Sequence, residues 1–344
     1  MLSFYSVVSG WSIAYLLRAI TGQLQGLNSD QIGALWSQFL GTPWQLMGWH
    51  TLFMVLTIGV IIQGVQQGLE RVSKLMMPSL YVILIILMLY AAKVGDFYQG
   101  FNFLFGFRFS QITPSIVLSA MGHAFFTLAL GAGAMLMYGA YVPQNVNITK
   151  SVFIVAGLDI LVAFLAGLAI FPLVFANHLP AASGPGLMFV SLPIAFAHIH
   201  GGAMIGSLFF LLLLFAAWTS SINMAEPIVS IFMTQFKLRR TAAACLTGFI
   251  AWLLGIISVL SFNVWQSVTF FHLGIFDILT GATNNIMLPI GGLCFALFVG
   301  WILTKPRLET EMQPIKPLTL NSWLLLLRYL CPLAIAAIFI SSLL

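Results

Sequence analysis

The chain has 344 residues, of which 60% are apolar and 6% charged, and a formal net charge of +5. Its mean hydropathy is +1.04. Soluble domains carry about 25% charged residues, so this composition excludes a soluble enzyme or a nucleic-acid binder. The excess of positive charge reads as a topology signal. The three cysteines, Cys245, Cys294 and Cys331, lie in apolar stretches without metal spacing and read as packing residues. No charged region precedes the first apolar stretch, so no cleavable signal peptide is predicted.

Apolar runs at roughly 3–21, 48–66, 76–93, 114–141, 150–176, 203–233, 242–261, 284–303 and 321–343 predict an all-α polytopic membrane protein with about nine spans. Asn28-Ser-Asp30 predicts a helix cap before 31–40 in a long first outside loop. Residues 94–113 read as a Phe- and Gly-rich outside loop. Pro143 closes the fourth span, and 180–193 read as another outside loop with short surface helices. The charged, proline-containing stretch 304–320 reads as a cytoplasmic linker. If the spans alternate, Arg71, Lys74, Lys150, Lys237, Arg239, Arg240, Lys305, Arg307 and Lys316 fall on one side, nine of the 13 basic residues. Only Arg18, Lys93 and Arg108 fall clearly on the other, so the richer side is cytoplasmic.

The fourth span holds Gly122-His-Ala-Phe-Phe-Thr-Leu-Ala-Leu-Gly-Ala-Gly133. As one helix, its apolar run from about Ile116 to Tyr141 would reach about 39 Å, longer than a ~30 Å hydrocarbon core. Gly131 and Gly133 weaken it near the middle, and Thr127 adds a hydroxyl. One reading is a helix broken near the bilayer midplane, whose freed backbone groups bind an ion and an anionic solute. The other is a continuous span with glycines for close packing.

Two carboxylates lie deep in apolar helices, Asp159 and Glu226. Intramembrane acids are costly and mark candidate sites. Asp159 reads as a cation ligand or proton site, or as half of an ion pair. Glu226, before Pro227, reads as a structural group bonding local backbone. In 216–221, helical spacing puts the Ala216 carbonyl and the Thr219 and Ser220 hydroxyls on one face. Hard cations take such oxygens; equally, the hydroxyls can bond carbonyls one turn back. His198 and His200 fall in a loop, and His123 reads as a satisfied interior imidazole. No nucleophile elbow, phosphate loop or zinc motif is present, so neither an enzyme nor an organic cofactor is expected.

Tyr5-Ser-Val-Val-Ser-Gly-Trp11, Lys74-Leu-Met-Met-Pro78, the Gly122–Gly133 stretch, Pro185-Gly-Leu-Met-Phe-Val-Ser-Leu-Pro193 and Phe215-Ala-Ala-Trp-Thr-Ser-Ser-Ile222 occur in that order. Together they resemble the neurotransmitter:sodium symporter family, in particular its bacterial amino-acid transporters. The resemblance implies the inverted-repeat, five-plus-five fold with one broken helix present. It aligns the first span with the family's third helix, leaving the first repeat incomplete and the family's first two helices without counterpart. One transmembrane domain would then comprise 1–113 (the remainder of the first repeat), 114–303 (the second repeat) and 304–344 (linker and last helix).

By the same resemblance, Tyr5 bonds the substrate carboxylate and Phe126 forms an aromatic lid. Ala129, Ala132, Ser220 and Met224 line the side-chain pocket, and Thr127 touches both substrate and ion. Thr127 and Asp159 would hold a first sodium; Ala216, Thr219 and Ser220 a second. Tyr141 matches a cytoplasmic gate. Thr280 and Thr234 stand where the outer and inner gate aspartates are expected, and Ala163 where chloride-dependent members carry a serine. The implied activity is sodium-coupled symport of an amino acid, bulky or aromatic given the small Ala129 and Ala132, across a bacterial inner membrane by alternating access. Lacking half of the site, the chain is expected to be impaired alone. The alternative is a non-transporting fragment that assembles with an N-terminal piece or another partner; a homo-oligomer is a further option.

Overall fold

The computed structural model describes residues 1–143, 146–181, 183–270, 272–312 and 317–343. In chain order the first helices are α1 (Leu2–Ile20), α2 (Ser29–Leu40), α3 (Pro43–Ile62), α4 (Arg71–Val94), α5 (Phe97–Phe105), α6 (Pro114–Thr127), α7 (Ala134–Tyr141) and α8 (Ile148–Ala176). There follow α9 (Gly184–Gly186), α10 (Leu192–Ala197), α11 (Gly202–Gln235), α12 (Arg240–Leu260) and a small hairpin of β1 (Thr269–Phe270) and β2 (Leu273–Gly274). The chain ends in α13 (Ile275–Gly281), α14 (Leu288–Leu297), α15 (Lys305–Glu311), α16 (Pro317–Leu325) and α17 (Cys331–Leu343). It divides into two compact units, Met1–Gly106 with Val162–Ile278 and Phe107–Leu161 with Leu279–Leu344.

Among the described residues, seven helical stretches are long and apolar enough to cross a membrane: Pro43–Ile62, Gly68–Val94, Ile148–Ala176, Gly202–Gln235, Arg240–Leu260, Ile275–Ile302 and Thr319–Ser341. The other two expected spans are α1 and the α6–α7 pair. The sequence of α1 carries Ser3, Ser6, Ser9, Ser12 and Arg18, and most of the helix is buried in protein rather than turned to lipid. The break leaves α6 and α7 with 14 and 8 residues.

In the first unit α1 is central, packed by α3, α11 and α12, with α4 against α11. Small residues permit this. A Cβ on Gly10 would lie 2.9 Å from the His50 backbone nitrogen, and one on Gly255 would collide with the His50 ring. His50 itself is buried, its Nε2 3.2 Å from the Trp252 carbonyl. Toward the far end of α1, Trp11 and Tyr15 meet Trp36 and Phe189 edge to face, at centroid separations of 5.2–5.9 Å. Such pairs contribute about 0.5–1.5 kcal/mol beyond burial.

Two loop expectations are corrected here. Within 180–193, read as an outside loop with short surface helices, the short helices are present, but from 187 on they are not at the surface. Leu187, Phe189 and Leu192, with Ala195 and Phe196 just beyond, are buried in the main core, because these apolar residues have aromatic partners to pack against. Residues 97–105 are not loop but helix. Asp96 caps the N-terminus by accepting from the Gln99 N–H, and Phe97, Phe101 and Phe105 stack at four-residue spacing. By contrast, the Asn28 cap forms as expected, as a full capping box with Gln31.

The second unit packs α14 against α17 and α17 against α6, with a small cluster of Leu308, Leu320 and Leu324 nearby. Arg328 donates from Nε to the Gly300 carbonyl and lies over the Trp301 ring. Lys316 lies outside the described residues.

Candidate functional site

The fourth span is broken rather than continuous. α6 ends at Thr127, α7 starts at Ala134, and Ala129, Gly131 and Gly133 take φ of +52°, +84° and +80°. Left-handed backbone costs an L-residue roughly 1–2 kcal/mol, and glycine escapes that cost. Within the break the Leu130 N–H bonds the Phe125 carbonyl, and the Ala132 N–H the Ala129 carbonyl. The break is seated on α14. A Cβ on Gly131 would collide with the Leu288 carbonyl, and one on Gly292 with the Phe125 ring. A Cβ on Gly291 would lie 2.5 Å from the Gly131 carbonyl oxygen. These α14 glycines were not picked out from the sequence. Their only local signal was the Gly-Gly pair in an apolar run; what it packs against is a tertiary fact.

Beside the break, the Thr127 Oγ1 lies 3.2 Å from Asp159 Oδ2 and 3.3 Å from the Ala124 carbonyl. The two expected first-sodium residues are therefore neighbours, although 32 positions apart. A hydroxyl and a carboxylate oxygen are the donor set a hard monovalent cation takes. Among the described residues no cluster of three or more His, Cys, Asp or Glu side chains could hold a transition metal.

A cavity of about 590 Å³ opens in the same unit, lined by Ser115, Ser119, His123 and Phe126 of α6 together with Asn284 and Asn285. His123 thus faces a cavity and is exposed, not a satisfied interior imidazole. The Asn284 Oδ1 is buried without a hydrogen-bond partner. Phe126 is 39% exposed. The backbone of Tyr141 closes α7, but its side chain lies outside the described residues.

The remaining expected site residues stand in the first unit. Tyr5 packs beside Phe53, Ala217 and Trp218 and interacts with the Ser220 side chain. Thr219 is buried, and its Oγ1 lies 3.0 Å from the Phe215 carbonyl and 3.1 Å from that of Ala216. That is the back-bonded arrangement; the Ala216 carbonyl and Thr219 hydroxyl, two expected ligands, are thereby in contact. Met224 packs against the Leu2, Met54 and Ile222 cluster.

Glu226 is structural, but its partner is not local backbone. Arg240 grips it through two nitrogens at 3.0 and 2.7 Å and donates from Nε to the Ile61 carbonyl at 2.8 Å. Bidentate pairing satisfies a buried carboxylate better than stray backbone groups. The 14-residue separation hid the pair in the sequence.

The chain matches the model of the sodium:neurotransmitter symporter family over residues 38–344. A Bacillus subtilis (strain 168) protein, the uncharacterized sodium-dependent transporter YhdH, is 36% identical over 99% of this chain and 76% of its own length. An uncharacterized sodium-dependent transporter of Haemophilus influenzae is 32% identical over 100% and 76%. The crystal structure of MhsT in complex with L-phenylalanine superposes with a TM-score of 0.90 at 40% identity, covering 99% of this chain and 78% of that one. Together with the seven apolar helices, these likenesses make the protein a multi-pass protein of the cell membrane. On this match the chain belongs to the sodium:neurotransmitter symporter family, whose members are sodium-dependent transporters rather than enzymes.

Proposed function

We propose that the protein takes part in sodium-coupled symport of a bulky apolar or aromatic amino acid by alternating access. The observation that carries this is the Thr127–Asp159 oxygen pair beside a helix break in left-handed backbone. The pair supplies charge and oxygen for one sodium, and the break supplies backbone groups for solute and ion. Ala216, Thr219 and Ser220 are assigned to a second sodium. Phe126 is the lid, and Tyr5, Ala129, Ala132, Ser220 and Met224 contact the solute, with Tyr141 and the Thr234 and Thr280 positions at the gates. The L-phenylalanine bound by MhsT, a protein 40% identical, supports a solute of that size. No organic cofactor takes part. The inverted-repeat division at 113/114 and 303/304 belongs to the same proposal.

The test is uptake of labelled L-phenylalanine and glycine into sodium-free vesicles on imposing a sodium gradient. It is run with the chain alone and with the chain co-expressed with the portion of YhdH that it does not match. Uptake that needs the second polypeptide supports the alternative in which the chain works in an assembly. Ala132→Phe is expected to weaken phenylalanine uptake more than glycine uptake, since each methylene displaced from an apolar site is worth about 0.8 kcal/mol. Absence of sodium-driven uptake in both arms overturns the proposal.

A further inference from the structure

The most unusual unused charge in the first unit is Arg18, in the last turn of α1. Its guanidinium carbon lies 4.6 Å from the centroid of the Phe39 ring and 5.1 Å from that of Tyr15. Its Nη1 and the Tyr15 hydroxyl are both buried and outside strict hydrogen-bond geometry, with the neutral phenol as the guanidinium's neighbouring polar group. Among the described residues the ion pairs are Lys74–Glu70 and Arg240–Glu226, and neither includes Arg18. A guanidinium carries five donors in a planar fork suited to an oxyanion. One held on aromatic faces without a carboxylate is poised for an external anion.

Arg18 lines a cavity of about 310 Å³ with Ala14, Thr21, Gln23, Gln45 and Trp49. Gln45 is the third residue of α3, in the first turn after Pro43. The Thr42 hydroxyl makes no cap there, because it donates back to the Gln38 carbonyl at 2.8 Å. The uncapped, positive end of a 20-residue helix therefore stands beside the guanidinium.

The level in the membrane selects the anion. α1 has 19 residues and is about 28 Å long, close to the ~30 Å hydrocarbon core. A helix of that length crossing the core would bring its last turn to headgroup depth. Trp49 lines the cavity and Trp44 is 79% exposed nearby in sequence, as tryptophans are at membrane interfaces. Leu17 and Ile20, on either side of Arg18 in sequence, are exposed apolar surface that acyl chains can cover.

We propose that Arg18, Gln23, Gln45 and the first turn of α3 bind the phosphate of an anionic membrane phospholipid. The cavity takes the headgroup, and the acyl chains run along the apolar flank of α1. The guanidinium supplies charge and directional donors, and the two glutamine amides donate to the remaining phosphate oxygens.

The purified full chain in detergent is titrated with phosphatidylglycerol, phosphatidylcholine or inorganic phosphate. Retained lipid is counted by native mass spectrometry, and thermal midpoints are read in parallel. One phosphatidylglycerol is expected to be retained at least tenfold more tightly than phosphatidylcholine. Arg18→Gln is expected to abolish that preference, and Arg18→Lys, which keeps the charge but not the fork, to recover part of it. Gln45→Glu separates binding from folding. An acid in the first turn suits the positive end of α3 and keeps the lipid-free thermal midpoint unchanged or higher, while it repels phosphate and lowers phosphatidylglycerol affinity at least tenfold. Unchanged lipid retention in Gln45→Glu overturns the site, even if Arg18→Gln fails to fold. Inorganic phosphate raising the midpoint as much as phosphatidylglycerol overturns the lipid assignment in favour of a soluble anion.

Discussion

Gly131 carries two constraints in one residue. Its φ of +84° suits only glycine, and a Cβ there would run into the Leu288 carbonyl on α14. Gly131→Ala is expected to lower the thermal midpoint in detergent by the equivalent of at least 1–2 kcal/mol from the backbone term alone, and to reduce sodium-dependent solute binding with it. Ala129→Gly, at φ +52°, is the control: it relieves the same backbone strain and leaves the midpoint unchanged or higher. An unchanged midpoint in Gly131→Ala would show that the break is not seated on α14. At Asp159 the question is charge. Two unit charges about 4 Å apart interact by about 4 kcal/mol at an effective dielectric of 20. A fixed carboxylate beside Thr127 can therefore stand in for a bound anion, where Ala163 offers no donor. Sodium-dependent substrate binding should be equal in chloride and gluconate, and Asp159→Asn should weaken it or make it respond to chloride. A strict chloride requirement in the unaltered protein would refute this charge substitution.

Between elements, the Glu226–Arg240 pair joins α11 to α12, and the Arg240 Nε bond to Ile61 adds the end of α3. Glu226 is 5% exposed and Arg240 21%, so removing one partner strands a charge that water barely reaches. Such single losses cost about 3–5 kcal/mol, whereas replacing both partners can be near neutral. Arg240→Met is expected to be the most destabilised variant, and the Glu226→Gln, Arg240→Met double variant to recover most of the loss in a thermal-shift comparison. Additive losses would mean that the pair is not coupled. The same scale explains why α5 and the 187–197 segment were misread. Each is short, and each is held by aromatic partners from elsewhere, Phe164 for Phe105 and Trp36 for Phe189.

For the molecule as a whole, charge sets orientation. Arg239 and Lys93 are both exposed, on what the positive-inside rule makes opposite sides. With Cys245, Cys294 and Cys331 replaced by alanine, a cysteine at position 239 should react with an impermeant maleimide only in inside-out vesicles. One at position 93 should react only in right-side-out vesicles. Labelling of both from one side would break the alternation of spans on which the orientation rests.

Composition and apolar run length by themselves determined that this is a polytopic helical membrane protein, because in hydrocarbon the backbone must satisfy itself within each span. They also marked the weak point at Gly131–Gly133 and the acid at Asp159, since a glycine pair and an intramembrane carboxylate are local signals. Tertiary structure decided what those residues meet. The 32-residue reach from Thr127 to Asp159, the Arg240 partner of Glu226, the α14 glycines under the break and the uncapped α3 terminus beside Arg18 all depend on which helices pack together. No period or spacing in one chain records such a pairing, because each is made between surfaces that only the fold brings within a few ångströms.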